Sequence, residues 1–213
     1  MTIRLYGYWR SSATWRVRIA LAWKGIAYER APINLLSSEQ SDAAYTAINP
    51  QGLVPFLTDG AVAIGQSLAI IEYLDEIQPE PPLLPGDAAQ RARIRMLADM
   101  IACDIHPLNN LRVLRQLKHE YGLEQPAIDG WARHWIEAGF AALEREASVG
   151  GGAYLAGEAV TAADLCLVPQ LYNARRVSTD LTPYPCLLAI EGGLLTLPAF
   201  ADTHPDRQPE ATT

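Results

Sequence analysis

The sequence predicts an α/β domain of about eighty residues followed by an all-helical domain, and three observations carry that prediction. Before residue 80 the apolar periodicity switches repeatedly between strand-like and helix-like, in the order strand, helix, strand, helix, strand, strand, helix. This is a βαβ half joined to a ββα half. Residues 79–86 (PEPPLLPG) then hold four of the fifteen prolines, which suits neither a helix interior nor a central strand and reads as a linker. Beyond them every pattern is helical. The expected boundaries are 1–80 for the first domain, 81–87 for the linker and 88–213 for the helical domain.

Taken in order, residues 3–8 (IRLYGY) alternate like a short strand. Residues 10–25 (RSSATWRVRIALAWKG) run from a serine turn into a helix that Ser11 or Ser12 can cap and Gly25 can close. A second strand-like run covers 28–35, where Pro32 favours an edge position. Residues 39–48 form a weak helix ended by Asn49-Pro50, and 54–64 make a hairpin around Asp59-Gly60. Ser67 is placed to cap a helix over 68–77. In the second domain Asp87 can cap a helix from Ala88 through Ile105 and onward. Residues 128–146 form another, with Ile128, Trp131, Trp135, Ile136, Phe140 and Leu143 at apolar positions. Gly150 to Gly152 reads as a flexible loop. Thr161 and Asp164 stand at capping-box spacing before a helix that is apolar nearly all round and should be the buried centre of its domain. The final helix, 187–195, is expected to be interrupted at Gly192-Gly193, and 208–213 to fray.

Composition narrows the function. A net charge of -7 argues against a dedicated nucleic-acid binder. Three scattered cysteines without a C-x-x-C pair fit a reducing compartment and argue against a thiolate zinc site or a dithiol redox centre. The first residues, MTIRLYGYWR, contain no apolar run of signal-peptide type, so a cytoplasmic protein is expected. The histidines show no ligand-like clustering with acids or thiols, and no metal is inferred.

Charge is distributed unevenly. Arg4, Arg10, Arg16, Arg18 and Lys24 precede the first acid, Glu29, which leaves about -12 for the rest of the chain. Arginines in the first turns of a helix oppose the macrodipole, and a positive helix start in an acidic protein suggests a bound anion. The alternative is a capped helix whose arginines pair with acids elsewhere. A second hydroxyl-bearing helix start lies at Gln66-Ser67, and two such starts can converge on one edge to hold a carboxylate or thiolate. Between them, Val54-Pro55 is a candidate cis bond whose Val54 backbone could pair with an extended peptide; a plain strand-entry proline is the alternative. In the helical domain His106-Pro107 interrupts a strong helix and is followed by Asn109, Asn110 and Arg112, a polar group suited to a site wall. Arg175-Arg176 closes the apolar helix, and the macrodipole accounts for one of them more readily than for two.

These residues resemble a known family. Ser11-Ser12-Ala13-Thr14-Trp15-Arg16-Val17-Arg18-Ile19-Ala20-Leu21 is close to the pattern S-S-C-x-W-R-V-R-I-A-L of the zeta-class glutathione transferases, which include maleylacetoacetate and maleylpyruvate isomerases. The stretches NPQGLVP (49–55), QSLAIIEYL (66–74), DIHPLNN (104–110), LVPQ (167–170), NARR (173–176) and LPAF (197–200) support it in order, over nearly the whole chain. The motif's cysteine is Ala13 here, so any contribution of that thiol is absent. Serines at 11 and 12 also argue against glutaredoxin-type thiol exchange.

The resemblance implies a thioredoxin-like βαβαββα domain, an all-helical C-terminal domain, glutathione as cofactor and a homodimer. It implies that Ser12, or Ser11, hydrogen-bonds the glutathione sulfur and that Val54 pairs with the cysteinyl backbone beside cis Pro55. Gln66 and Ser67 would hold the γ-glutamyl end, and Gln51, His106 and Asn110 join the cofactor-binding candidates. Arg10, Arg112 and Arg176, with His106 and Asn110, are candidates to hold an acidic substrate. The implied activity is cis-to-trans isomerisation of maleylacetoacetate in aromatic amino acid breakdown. Maleylpyruvate isomerisation and conjugation or dehalogenation of small α-haloacids are the alternatives.

Overall fold

A computed structural model describes residues 2–212. The chain divides into two compact units, one running to Leu84 and resuming at Thr196, the other spanning Pro85–Leu195.

The first unit is built on a four-stranded sheet: β1 (Ile3–Gly7), β2 (Tyr28–Pro32), β3 (Phe56–Asp59) and β4 (Val62–Gly65), in the spatial order β2-β1-β3-β4. β1 is parallel to β2 and antiparallel to β3, and β3 is antiparallel to β4. Leu5 faces Leu57 across the central pair, and both are buried. The proline-bearing β2 is an edge strand, as its sequence requires. β3 and β4 pair as far as Asp59 with Val62, so the hairpin loop is Gly60-Ala61 rather than Asp59-Gly60.

The βα connections place α1 (Ser12–Trp23) and α3 (Ser67–Ile77) in contact with each other. α1 ends where expected, with Gly25 at φ +65, a backbone conformation that glycine adopts without penalty. The weak helix of 39–48 is split into a 3₁₀ turn at Glu39–Ser41 and the short α2 (Ala43–Thr46). The Lys24 ammonium is buried against the end of α3, donating to the Asp75 carboxylate and to the carbonyls of Gln78 (2.8 Å) and Pro81 (2.6 Å).

The segment after residue 195 departs from the expected domain boundary. It groups with the first unit because Trp15 donates its indole N–H to Thr203 Oγ1 (2.9 Å) and Arg18 donates to the Thr203 carbonyl. Its end is not frayed within the described residues: Pro209–Thr212 is a 3₁₀ turn whose Glu210 pairs with Arg30.

The second unit contains α4 (Ala88–Asp99), α5 (Leu111–His119), α6 (Gln125–Gly150), α7 (Ala162–Arg176) and α8 (Pro185–Leu194). Asp87 and Gln90 form a reciprocal capping box at the start of α4. α4 then widens into a π-helical stretch (Met100–Ile105) and tightens into a 3₁₀ turn (His106–Asn109), so the disruption extends to both sides of Pro107. Gly139 of α6 permits this stretch to approach, since a Cβ there would lie 2.2 Å from Ile105 Cδ1. α7 is the buried centre of this unit, with Leu165, Leu167, Val168 and Leu171 fully enclosed. α8 runs unbroken through Gly192-Gly193: Leu187, Ile190 and Leu194 bury its apolar side, and Glu191 forms a bidentate pair with Arg175. Tertiary packing outweighs glycine's low helix propensity here.

Candidate functional site

The start of α1 separates its two serines. Ser11, at φ -68 and ψ 120, is the N-cap, and its Oγ accepts the Thr14 N–H at 3.2 Å. Ser12 is the first helical residue and only 7% exposed, and its hydroxyl has no hydrogen bond among the described residues. The first turn contains no acid. A spare hydroxyl therefore stands among unpaired helix-start N–H groups, an arrangement that stabilises a thiolate or carboxylate. Arg10 lies just ahead, its guanidinium carbon 5.3 Å from the centroid of the Trp9 ring.

The second helix start is tied to the first. Arg16 of α1 donates from Nη1 to Ser67 Oγ (3.3 Å), and Ser67 is the first residue of α3. Gln66, rather than Ser67, occupies the cap position, and it does so at φ +67 and ψ 118. A side-chain-bearing residue with positive φ is strained and persists where the surroundings impose it. The Gln66 amide donates to Gln51 Oε1 at 2.9 Å.

The loop before β3 is braced from beneath. Tyr45 Oη (2.6 Å) and Asn49 Nδ2 (2.7 Å) both donate to the Leu53 carbonyl, and Asn49 Oδ1 accepts the Gln51 N–H. The Val54–Pro55 bond is cis. The β ladders begin at Phe56, so the Val54 backbone is not paired with β1 or β4. Ser12, Val54, Gln66 and Ser67 thus sit in one unit, on the segments entering α1, β3 and α3.

In the second unit, the 3₁₀ turn carries His106, and Asn110 caps α5 by accepting the Arg112 N–H at 3.1 Å. Asn110 Nδ2 lies 3.5 Å from His106 Nε2. The Arg112 side chain is exposed on the first turn of α5. Arg175 and Arg176 have different surroundings. Arg175 is engaged by Glu191, which raises its pKa, whereas Arg176 donates to Asn173 Oδ1 at 3.3 Å. Asn173 donates in turn to Asn109 Oδ1 (3.0 Å), and Asn109 to the Ile105 carbonyl (3.0 Å). A chain of amide hydrogen bonds therefore links Arg176 to the turn bearing His106 and Asn110.

Residues 5–82 match the family described as Glutathione S-transferase, N-terminal domain. Maleylacetoacetate isomerase of Rattus norvegicus is 48% identical over 208 residues, covering 97% of this chain and 94% of its own. A holo structure of maleyl pyruvate isomerase, described as a bacterial zeta-class glutathione transferase, superposes with a TM-score of 0.95 at 45% identity, covering 97% of this chain and 99% of that one. The chain belongs to the zeta class of glutathione transferases. A third relative, maleylacetoacetate isomerase from Methylobacterium extorquens AM1, was solved with malonate and glutathione bound. It is 42% identical, with a TM-score of 0.94 and coverage of 97% and 98%.

Sequence reasoning about this zeta-class chain identified the helix starts but missed the groups behind them. Arg16 reaches Ser67, and Arg18 donates to the Trp9 and Thr203 carbonyls, contacts that neither the bound-anion reading nor the acid-pairing alternative specified. Tyr45 braces the loop before β3, while Asn109 and Asn173 brace the turn bearing His106 and Asn110. Asn109 and Asn173 sit within the quoted motifs and Tyr45 outside them, and nothing in their spacing indicates what they touch.

Proposed function

We propose that this protein is a glutathione-dependent cis–trans isomerase acting on maleylacetoacetate, in the breakdown of aromatic amino acids. The observation that carries the reading is the Ser12 hydroxyl, which helix capping leaves free because Ser11 supplies the cap. Further support comes from Val54, whose backbone stands outside the ladder beside a cis proline, and from Gln66 held in a strained conformation next to Ser67. These are the partners that a thiol-bearing tripeptide with an anionic γ-glutamyl end requires.

When bound, glutathione supplies a thiolate whose reversible addition to the cis double bond allows rotation about it. The chain's own residues do the rest. Ser12 donates a hydrogen bond to sulfur and, with the α1 N-terminus, favours the thiolate. Val54 holds the cysteinyl backbone, while Gln66, Ser67 and Gln51 orient the γ-glutamyl end. Arg10, Arg112 and Arg176 take the substrate's carboxylates and the negative charge that develops on it, through charge-assisted hydrogen bonds. His106 and Asn110 complete the polar wall. Ala13, in place of the family cysteine, leaves this mechanism without a protein thiol at the helix start.

We infer a homodimer, for which Val62 and Ile77 offer exposed apolar surface. We place the protein in the cytoplasm, in keeping with three cysteines that form no disulfide among the described residues. No helix among the described residues is long and apolar enough to cross a membrane. A second reading, maleylpyruvate isomerisation, is favoured by the 45% identity to a relative of that name. Maleylacetone, maleylpyruvate and dichloroacetate assayed side by side separate the candidates. The proposal expects the highest kcat/KM with maleylacetone, and a tenfold preference for either competitor would replace it.

A further inference from the structure

Arg16 sits where a positive charge is costly. It is 1% exposed, one turn into α1, and the first turn of that helix contains no acid to offset it against the helix dipole. Long helical side chains point back towards the N-terminus and residues four apart share a face, so Arg16 covers the turn that Ser12 opens. From there it crosses to the neighbouring helix, where its Nη1 donates to Ser67 Oγ at 3.3 Å. One buried guanidinium therefore joins the two helix starts on which the glutathione reading depends.

That contact sets the direction of the Ser67 hydroxyl. A guanidinium can only donate, so Ser67 Oγ accepts from it and the hydroxyl hydrogen must point elsewhere. Ser67 is only 7% exposed, yet this hydrogen finds no acceptor among the described residues. The α3 ladder begins with the Ile70 N–H on the Gln66 carbonyl (3.0 Å), which leaves the N–H groups of Ser67, Leu68 and Ala69 outside it. A hydroxyl polarised by the cation behind it thus stands beside helix-start N–H groups, a donor set suited to a carboxylate. At 1% exposure Arg16 offers a ligand almost no surface, so its effect passes through Ser67.

We propose that Arg16 is a positioning residue for glutathione: it holds Ser67 Oγ as an acceptor, so that Ser67 donates its hydrogen to the α-carboxylate of the γ-glutamyl residue. This role rests on the glutathione reading above. A purely structural tie between α1 and α3 would instead lower the affinity for every ligand of the site alike.

Isothermal titration calorimetry distinguishes the two with a pair of ligands, glutathione and 4-aminobutanoyl-cysteinylglycine, which lacks only that carboxylate. Wild type, Arg16→Gln, Arg16→Lys, Ser67→Ala and the Arg16→Gln/Ser67→Ala pair are compared, each verified as folded by circular dichroism. Arg16→Gln is expected to weaken glutathione binding about tenfold, and to leave the affinity for the decarboxylated analogue within about twofold of wild type. Once Ser67 is alanine, Arg16→Gln should cost less than about threefold more, because the group it acts through is gone. Arg16→Lys keeps the charge and a donor without the planar fork, and should lose about threefold, again for glutathione alone. It supplies the same comparison if Arg16→Gln does not fold. Equal losses for both ligands, or full additivity with Ser67→Ala, would overturn the positioning role and leave the glutathione reading standing. Wild type that binds neither ligand would overturn both.

Discussion

The buried carboxylate of Asp164 makes stability depend on pH in the reverse of the usual carboxylate sense. It is fully enclosed at the start of α7 and accepts three hydrogen bonds, from Leu155 N–H (2.8 Å), Thr161 N–H (2.8 Å) and the Thr161 hydroxyl (2.9 Å). Burial opposes the charge more than these donors support it, raising the pKa from 3.8 to about 6. A raised carboxylate pKa means the folded protein binds this proton more tightly than the unfolded chain. The site therefore contributes its full stability below the unfolded value of 3.8 and loses it progressively as pH rises to about 6, above which little further is lost. Between pH 5 and pH 7 the linkage relation gives a loss of about 1 kcal/mol from this group. Asp164→Asn removes the titration while keeping an acceptor. Urea denaturation of both proteins at pH 5, 6 and 7 isolates the effect, since all other groups titrate alike in the two. The destabilisation caused by the substitution should shrink by about 1 kcal/mol from pH 5 to pH 7. A difference that stays constant, or grows with pH, would mean that the three donors outweigh burial and would refute the reasoning.

Other substitutions test separate parts of the structure. Ser12→Ala should lower kcat about a hundredfold, whereas Ser11→Ala should keep most activity and cost about 1 kcal/mol of stability as a lost cap. Steady-state kinetics with melting curves on both variants separate these roles, and the reverse pattern would exchange the two serines. Lys24→Met leaves the part-buried Asp75 carboxylate without its cation and should cost about 3 kcal/mol, read by denaturant titration. A loss below 1 kcal/mol would show the pair to be incidental. Asn173→Ala frees Arg176 from the amide bridge and should raise substrate KM about threefold to tenfold with glutathione KM unchanged. Equal effects on both KM values would assign Asn173 to general packing instead.

Much of the fold was legible because its signals are local. The serine turn and Gly25 bound α1, Pro32 put its strand on an edge, and Thr161 with Asp164 announced α7. What escaped depends on distant partners. Gly192-Gly193 looks like a helix break until Leu187, Ile190 and Leu194 are seen to be buried. The last segment reads as frayed because nothing near Thr203 indicates that Trp15 and Arg18 will hold it. Within the site, hydroxyls at helix starts are visible as residue types, and so is a proline that could be cis. The choice between Ser11 and Ser12 required the backbone angle that makes Ser11 the cap. The strain at Gln66 has no residue-type signature, because glycine is the residue that normally marks positive φ. The link from Asn109 to Asn173 spans 64 positions and could not be read from either motif alone.

The opening helix now carries a specific claim: Ser12 serves a thiolate that is used and returned. Maleylacetone incubated with enzyme and substoichiometric glutathione decides it, with products and total free thiol followed together. Many turnovers to the trans isomer per glutathione, with free thiol undiminished at the end and no conversion when glutathione is omitted, are predicted. Conversion without glutathione, or consumption of one glutathione per product formed, would contradict it.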